Sequence, residues 1–228
     1  MKRLLLVIAA LAAVLALPAP ATARVIELGS VADPATPACP EESCEAAVRI
    51  TALQGRASGG PKNPYYIRRD GYIVTFSVTL SDPNQTQIDF FEENFGSPAQ
   101  VRLSVLRRGD TRRTRLNYRL LAQTDLFELD PYFGSSPTFV LPQPLRVRRG
   151  SWIAITVPTW APLLAIDLGR SDWWRASRPS DRCDSTAQFA LSDLREINIF
   201  GCTYHGARML YTATYVPDPK PTSETENP

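Results

Sequence analysis

Residues Phe139 to Pro158 (FVLPQPLRVRRGSWIAITVP) limit what this chain can fold into more than any other stretch. Ile153, Ile155 and Val157 alternate with Trp152, Ala154 and Thr156. A side-chain period of two marks a strand that buries one face. A second apolar run precedes it across Arg148-Arg149-Gly150-Ser151. Gly150 can take the positive φ of a tight turn, so the stretch reads as a β-hairpin against which other strands must pack.

The rest of the chain repeats the pattern. In Tyr72 to Leu80, Val74, Phe76, Val78 and Leu80 point one way, and Thr75, Ser77 and Thr79 the other. Val101, Leu103 and Val105 alternate, as do Leu116, Tyr118 and Leu120, around the polar loop Arg107 to Thr114 (RRGDTRRT); this predicts a second hairpin. Shorter strands are expected at 24–28, 46–54, 163–168 and 208–216. Ile88, Phe91 and Phe95 stand at helical spacing, which predicts one short helix closing an end of the fold. About eight to ten short strands with Gly/Pro punctuation predict an all-β protein. The expected form is a single antiparallel β-sandwich of jelly-roll type with one short helix; a strongly twisted barrel is the alternative.

The first residues predict an address. Lys2 and Arg3 precede an apolar run, Leu4 to Leu17, broken by Pro18 and followed by Ala21-Thr22-Ala23. That run is too short to span a bilayer and has the order of a signal peptide, with cleavage expected after Ala23. The expected domains are a signal peptide over 1–23, a sandwich over 24–216 and a disordered tail over 217–228, where nothing apolar is available to bury. No second run of spanning length follows, so a secreted or envelope protein with no membrane span is expected. Removing Lys2 and Arg3 leaves 25 − 2 = 23 basic residues against 23 acidic ones. Such a balance argues against nucleic acid as a partner, because binding phosphates needs surplus positive charge.

An even number of cysteines in an exported chain predicts disulfides. The pairing that closes local loops is Cys39–Cys44 and Cys183–Cys202. The rival is a loosely zinc-like set, Cys39, Cys44, Cys202 and His205, which would leave Cys183 a free thiol in an oxidising compartment. No cofactor and no metal are expected.

The stretch PLRVRRGSWIAITVPTWAP (Pro144 to Pro162) and the closing ARMLYTATYV (Ala207 to Val216) resemble uncharacterised exported β-sandwich proteins of GC-rich Gram-positive bacteria. The resemblance implies a fold and an address without an activity.

Three features bear on function. His205 is the one histidine, and no G-x-S-x-G motif occurs, so a triad hydrolase would rest on His205 alone. Seven arginines, including Arg102, Arg115 and Arg119, stand between residues 101 and 120 with Asp110 as the one acid. Guanidinium forks suit carboxylate and phosphate, although GC-rich coding also fills solvated positions with arginine. Trp152, Trp160, Trp173, Trp174, Tyr132 and Phe133 sit at strand ends or in loops, where aromatic faces can serve as platforms for sugars. The expected function is a non-enzymatic binding module for carbohydrate or an acidic envelope polymer, with ligand contacts from Trp160, Trp173, Trp174, Tyr132, Arg102, Arg115 and Arg119. A structural or protein-interaction component of the envelope is the alternative, and a hydrolase comes last.

Overall fold

Every second residue of the long strands enters one apolar layer, and that layer lies between two antiparallel sheets. The structure, a computed structural model, describes residues 24–39 and 44–219. The expected signal peptide and residues 220–228 of the expected tail lie outside the described residues.

One sheet has four strands in the order β1 (Ile26–Leu28), β14 (Tyr211–Pro217), β3 (Gly71–Val78), β7 (Thr138–Val147). The other runs β11 (Ile197–Ile199), β5 (Asn117–Gln123), β4 (Gln100–Arg108), β8 (Ser151–Ala161), β2 (Ala47–Arg56), β10 (Trp173–Ala176), β12 (Cys202–His205), with β6 (Phe127–Glu128) added on β4. A short pair joins β9 (Leu164–Ala165) to β13 (Arg208–Met209). Phe76 and Val78 of the first sheet and Tyr211 and Ala213 beside them meet Leu103, Val105, Ile153, Ile155 and Val157 of the second, all buried in one cluster. The protein is the all-β antiparallel sandwich that the alternation predicts. Its chain crosses between the sheets repeatedly, as jelly rolls do.

The central hairpin is a correction. β7 pairs with β3 in the four-stranded sheet, whereas β8 pairs with β2 and β4 in the larger one. The turn at Arg148–Gly150 therefore carries the chain across the sandwich. Arg149 N donates to Asp70 Oδ1 at 2.7 Å and Gly150 N to the Ile67 carbonyl at 2.8 Å, and Gly150 has φ +87°. Alternation says that each run is a strand and carries nothing about its partner. The hairpin expected over 101–120 does form, as β4 against β5.

In β3 the pairing slips on both sides of Val74. This bulge puts Ile73 in the core and leaves Val74 half-buried, while Phe76, Val78 and Leu80 point inward as expected. The helix, α1 (Gln85–Phe95), starts at an Asn84 capping box with Gln87, which satisfies otherwise orphaned N–H groups. Its Ile88, Phe91 and Phe95 dock on the core. β14 reaches Pro217, and Asp218 N donates to the Asp70 carbonyl, so ordered structure runs into the first residues of the expected tail.

Both expected disulfides, Cys39–Cys44 and Cys183–Cys202, are present. With all four cysteines paired, no thiol is left for the zinc-like set.

The outer face of the larger sheet is also covered. Leu53, Leu106, Tyr118, Leu120, Trp152 and Ala154 form a second cluster with Leu191 and Phe200 from the segment 187–200. Beneath it Ser104 Oγ lies 2.7 Å from Thr156 Oγ1, Thr156 Oγ1 lies 2.9 Å from Thr51 Oγ1, and Leu191 N donates to Thr51 Oγ1 at 3.0 Å. These hydroxyls satisfy one another where water is excluded.

Candidate functional site

The β4–β5 hairpin projects its loop, 109–116, with a cleft on either side. The larger cleft, about 530 Å³, is lined by Arg107, Arg108, Arg112 and Arg115 and walled by Tyr66 and Trp152. Three local choices build it. β2 pairs with β8 only as far as Ile155, and the segment Tyr65–Ile67 takes the vacant edge, with Ile153 N donating to the Tyr65 carbonyl and Ile67 N to the Ser151 carbonyl. This sets the Tyr66 and Trp152 rings edge to face at 5.1 Å. Tyr118 of β5 extends the row, 6.5 Å from Trp152 and 4.7 Å from Phe200.

Arginines border the row. Arg68 lies 6.0 Å from the Tyr66 ring centre. Arg108 Nε donates to the Arg115 carbonyl at 2.6 Å, and Arg175 Nη1 donates to the Phe200 carbonyl at 3.4 Å. Burial lowers the Arg175 guanidinium pKa; Tyr118 opposes the shift, and the positive charges of Arg108 and Arg115 add to it. Among the described residues the ion pairs are Arg146 with Asp70 and Asp218 and Arg208 with Asp172. None of the hairpin arginines takes part, and the one acid beside them in both clefts is Asp110. The second cleft, about 410 Å³, carries Arg107, Arg108 and Arg119 beside Leu121 and Ile197.

Of the residues expected to contact a ligand, Arg115 and Arg119 line these clefts. Arg102 does not. Its Nη2 donates to the Leu191 carbonyl at 2.7 Å, and burial lowers its pKa, so it ties down the covering segment. Trp160 is a further correction: it is fully buried, with its ring stacked 4.8 Å from Phe91. Trp174 is buried as well, stacked 4.3 Å from Tyr204. Neither ring can offer a face to a ligand, because helix α1 and β12 cover them. Trp173 alternates to the opposite side, half-buried, with Arg175 5.7 Å from its ring centre. Its ring lies so close to Gly55 that a Cβ there would fall 2.0 Å away. Tyr132 is exposed but stands edge-on to Phe139, outside both clefts.

Tyr66 is the cleft residue that sequence reasoning missed, together with Arg68 and Arg175, which border the row of rings outside the cleft lining; Trp152 was among the aromatic candidates. Tyr65-Tyr66-Ile67 between a Gly/Pro loop and Arg68-Arg69 was a usable signal. For Arg175 there was none, since it comes from a distant strand. His205 is exposed, with Nδ1 3.3 Å from the Arg170 carbonyl oxygen.

No helix among the described residues is long and apolar enough to cross a membrane. In comparison with known proteins, no family model, curated protein or solved structure matches the chain.

Proposed function

We propose that this protein is an exported, non-enzymatic module that binds an acidic polymer of the cell envelope through the cleft beside the β4–β5 hairpin. One observation carries the reading: Arg107, Arg108, Arg112 and Arg115 line a single cleft with Asp110 as its one acid, and none of the four is ion-paired among the described residues. Guanidinium groups held so are ready for carboxylate or phosphate. Tyr66, half-buried, adds apolar wall for the uncharged part of a repeat unit, while Trp152, only 8% exposed, shows little more than an edge there. The two disulfides agree with an oxidising compartment. Export by residues 1–23 and the resemblance to exported β-sandwich proteins of GC-rich Gram-positive bacteria belong to the same proposal. The exposed Leu121 and Ile197 in the neighbouring cleft favour a second reading, contact with another envelope protein.

The test is binding to immobilised polygalacturonate and to polyphosphate across a salt series. Affinity should fall as salt rises, and Arg108→Ala with Arg115→Ala should flatten that dependence by about one unit of log-log slope per arginine. Binding that ignores salt, or that the double variant retains in full, would sink the proposal. Capture of one protein by chemical crosslinking, with no polymer binding, would favour the second reading.

A further inference from the structure

A separate cavity of about 180 Å³ opens between the ends of β2 and β3, the start of β14 and the loop after β1. Tyr65 and Tyr211, stacked 4.2 Å apart and 12° from parallel, form one wall, and Val31 and Ala35 of the loop form the roof. Most of the polar groups around it are turned toward protein. The Tyr65 hydroxyl donates to the Tyr211 carbonyl, and the Tyr211 hydroxyl donates to the Ile153 carbonyl at 3.2 Å. Gln54 Nε2 donates to the carbonyls of Arg56 and Trp173, and its Oε1 accepts from Met209 N.

Arg208 differs. It lines the cavity and is 7% exposed. Its Nε and Nη2 donate to Asp172 Oδ1 at 2.9 and 2.6 Å, and Nη1 donates to the Asp33 carbonyl at 3.1 Å. A guanidinium carries five N–H groups. Three are used in these bonds, which leaves one on Nη1 and one on Nη2 of a side chain that lines the cavity. Asp172 neutralises the charge, so the wall offers donors without net charge.

We propose that this cavity binds a small uncharged molecule, about one ring in size, that carries a single hydrogen-bond acceptor directed at Arg208. Size sets the first limit, since an apolar cavity of about 150 Å³ accommodates benzene. Charge sets the second. An anion would lie near the Asp172 carboxylate that holds Arg208, and a cation would lie beside the Arg208 guanidinium. The acceptor follows from the free N–H groups, because a buried donor left unpaired is unfavourable. This site shares no residue with the arginine clefts and does not depend on their function.

The probes are benzamide, toluene and benzoate, followed by amide NMR and by melting temperature. Benzamide should shift the amides of Val31, Met209 and Thr212 saturably. At tenfold excess over its Kd it should raise the melting temperature by about 3–6 °C. Toluene and benzoate should each bind at least tenfold more weakly. Ala35→Phe, on the half-buried roof, should fill the space and abolish the shifts; Val31→Trp serves if that variant does not fold. No shifts with benzamide, unchanged binding in a folded roof variant, or equal binding of toluene would each overturn the proposal. Equal binding of benzoate would overturn its charge argument.

Discussion

Arg208 holds Asp172 through Nε and Nη2 on a single carboxylate oxygen, and the two side chains are only 8% and 2% exposed. Ser58 completes the cage, its N and Oγ donating to Oδ1 and Oδ2 at 3.0 and 2.7 Å. Three segments distant in sequence thus meet on one carboxylate. Removing one partner of a buried pair leaves an uncompensated charge, so Asp172→Asn should lower stability by about 3–5 kcal/mol in urea unfolding.

The same carboxylate sets an acid limit. Burial acts to raise the Asp172 pKa, but the hydrogen bonds from Ser58 and Arg208 outweigh it and hold the group below its ordinary 3.8. The folded protein then binds this proton less readily than the unfolded chain. Its contribution is present above the ordinary carboxylate value and is lost as pH falls through the folded one. Melting temperature followed from about pH 6 to 2 should drop in the acid range, and Asp172→Asn should flatten that drop.

Asp130 acts with the opposite sign. Burial raises its pKa; the Ala99 N–H opposes the shift, and Glu92 and Glu128 add to it. The folded state therefore holds this proton more tightly, and stability falls as pH rises through the raised value. Asp130→Asn keeps an acceptor for Ala99 N and removes the charge, so it should melt higher than the parent at pH 7. A lower melting point there would refute the sign.

Tyr65 and Tyr211 predict alkaline sensitivity. Burial holds both phenols well above the ordinary 10.0. The unfolded chain ionises first as pH rises past about 10, so stability declines beyond that point. Absorbance of tyrosinate should lag in the folded protein and appear with loss of the near-ultraviolet circular dichroism. Tyr65→Phe, which leaves the Tyr211 carbonyl without its donor, should cost about 1–3 kcal/mol.

Trp160 and the Cys183–Cys202 bridge should prove structural. Trp160→Ala empties a fully buried site against Phe91 and should cost about 3–5 kcal/mol. Replacing both Cys183 and Cys202 by Ala should cost about 3 kcal/mol. Neither change touches the arginine cleft, so the folded fraction should bind polyanion as the parent does. Loss of that binding in a folded Trp160→Ala protein would argue against the site.

Much of this protein was legible along the chain. The alternation in β3, β4 and β8, the spacing of Ile88, Phe91 and Phe95, the loop-closing cysteine pairs and the crowding of arginines around residues 107–115 are properties of neighbours, and neighbours share one local geometry. The site was legible only in part. Arg115 and Arg119 could be named, but Trp160 and Trp174 looked available because strand ends and loops are usually at the surface.

Local periodicity already required an antiparallel all-β chain with one short helix and a basic hairpin, because which face a side chain takes follows from the backbone repeat beneath it. Partnership and burial needed the assembled fold. That Arg148–Gly150 crosses between sheets, that the segment 187–200 seals the outer face over Thr51 and Thr156, and that Tyr66 and Trp152 join Arg108 at one cleft all depend on contacts between residues far apart in the chain. Such contacts arise only when the sheets pack.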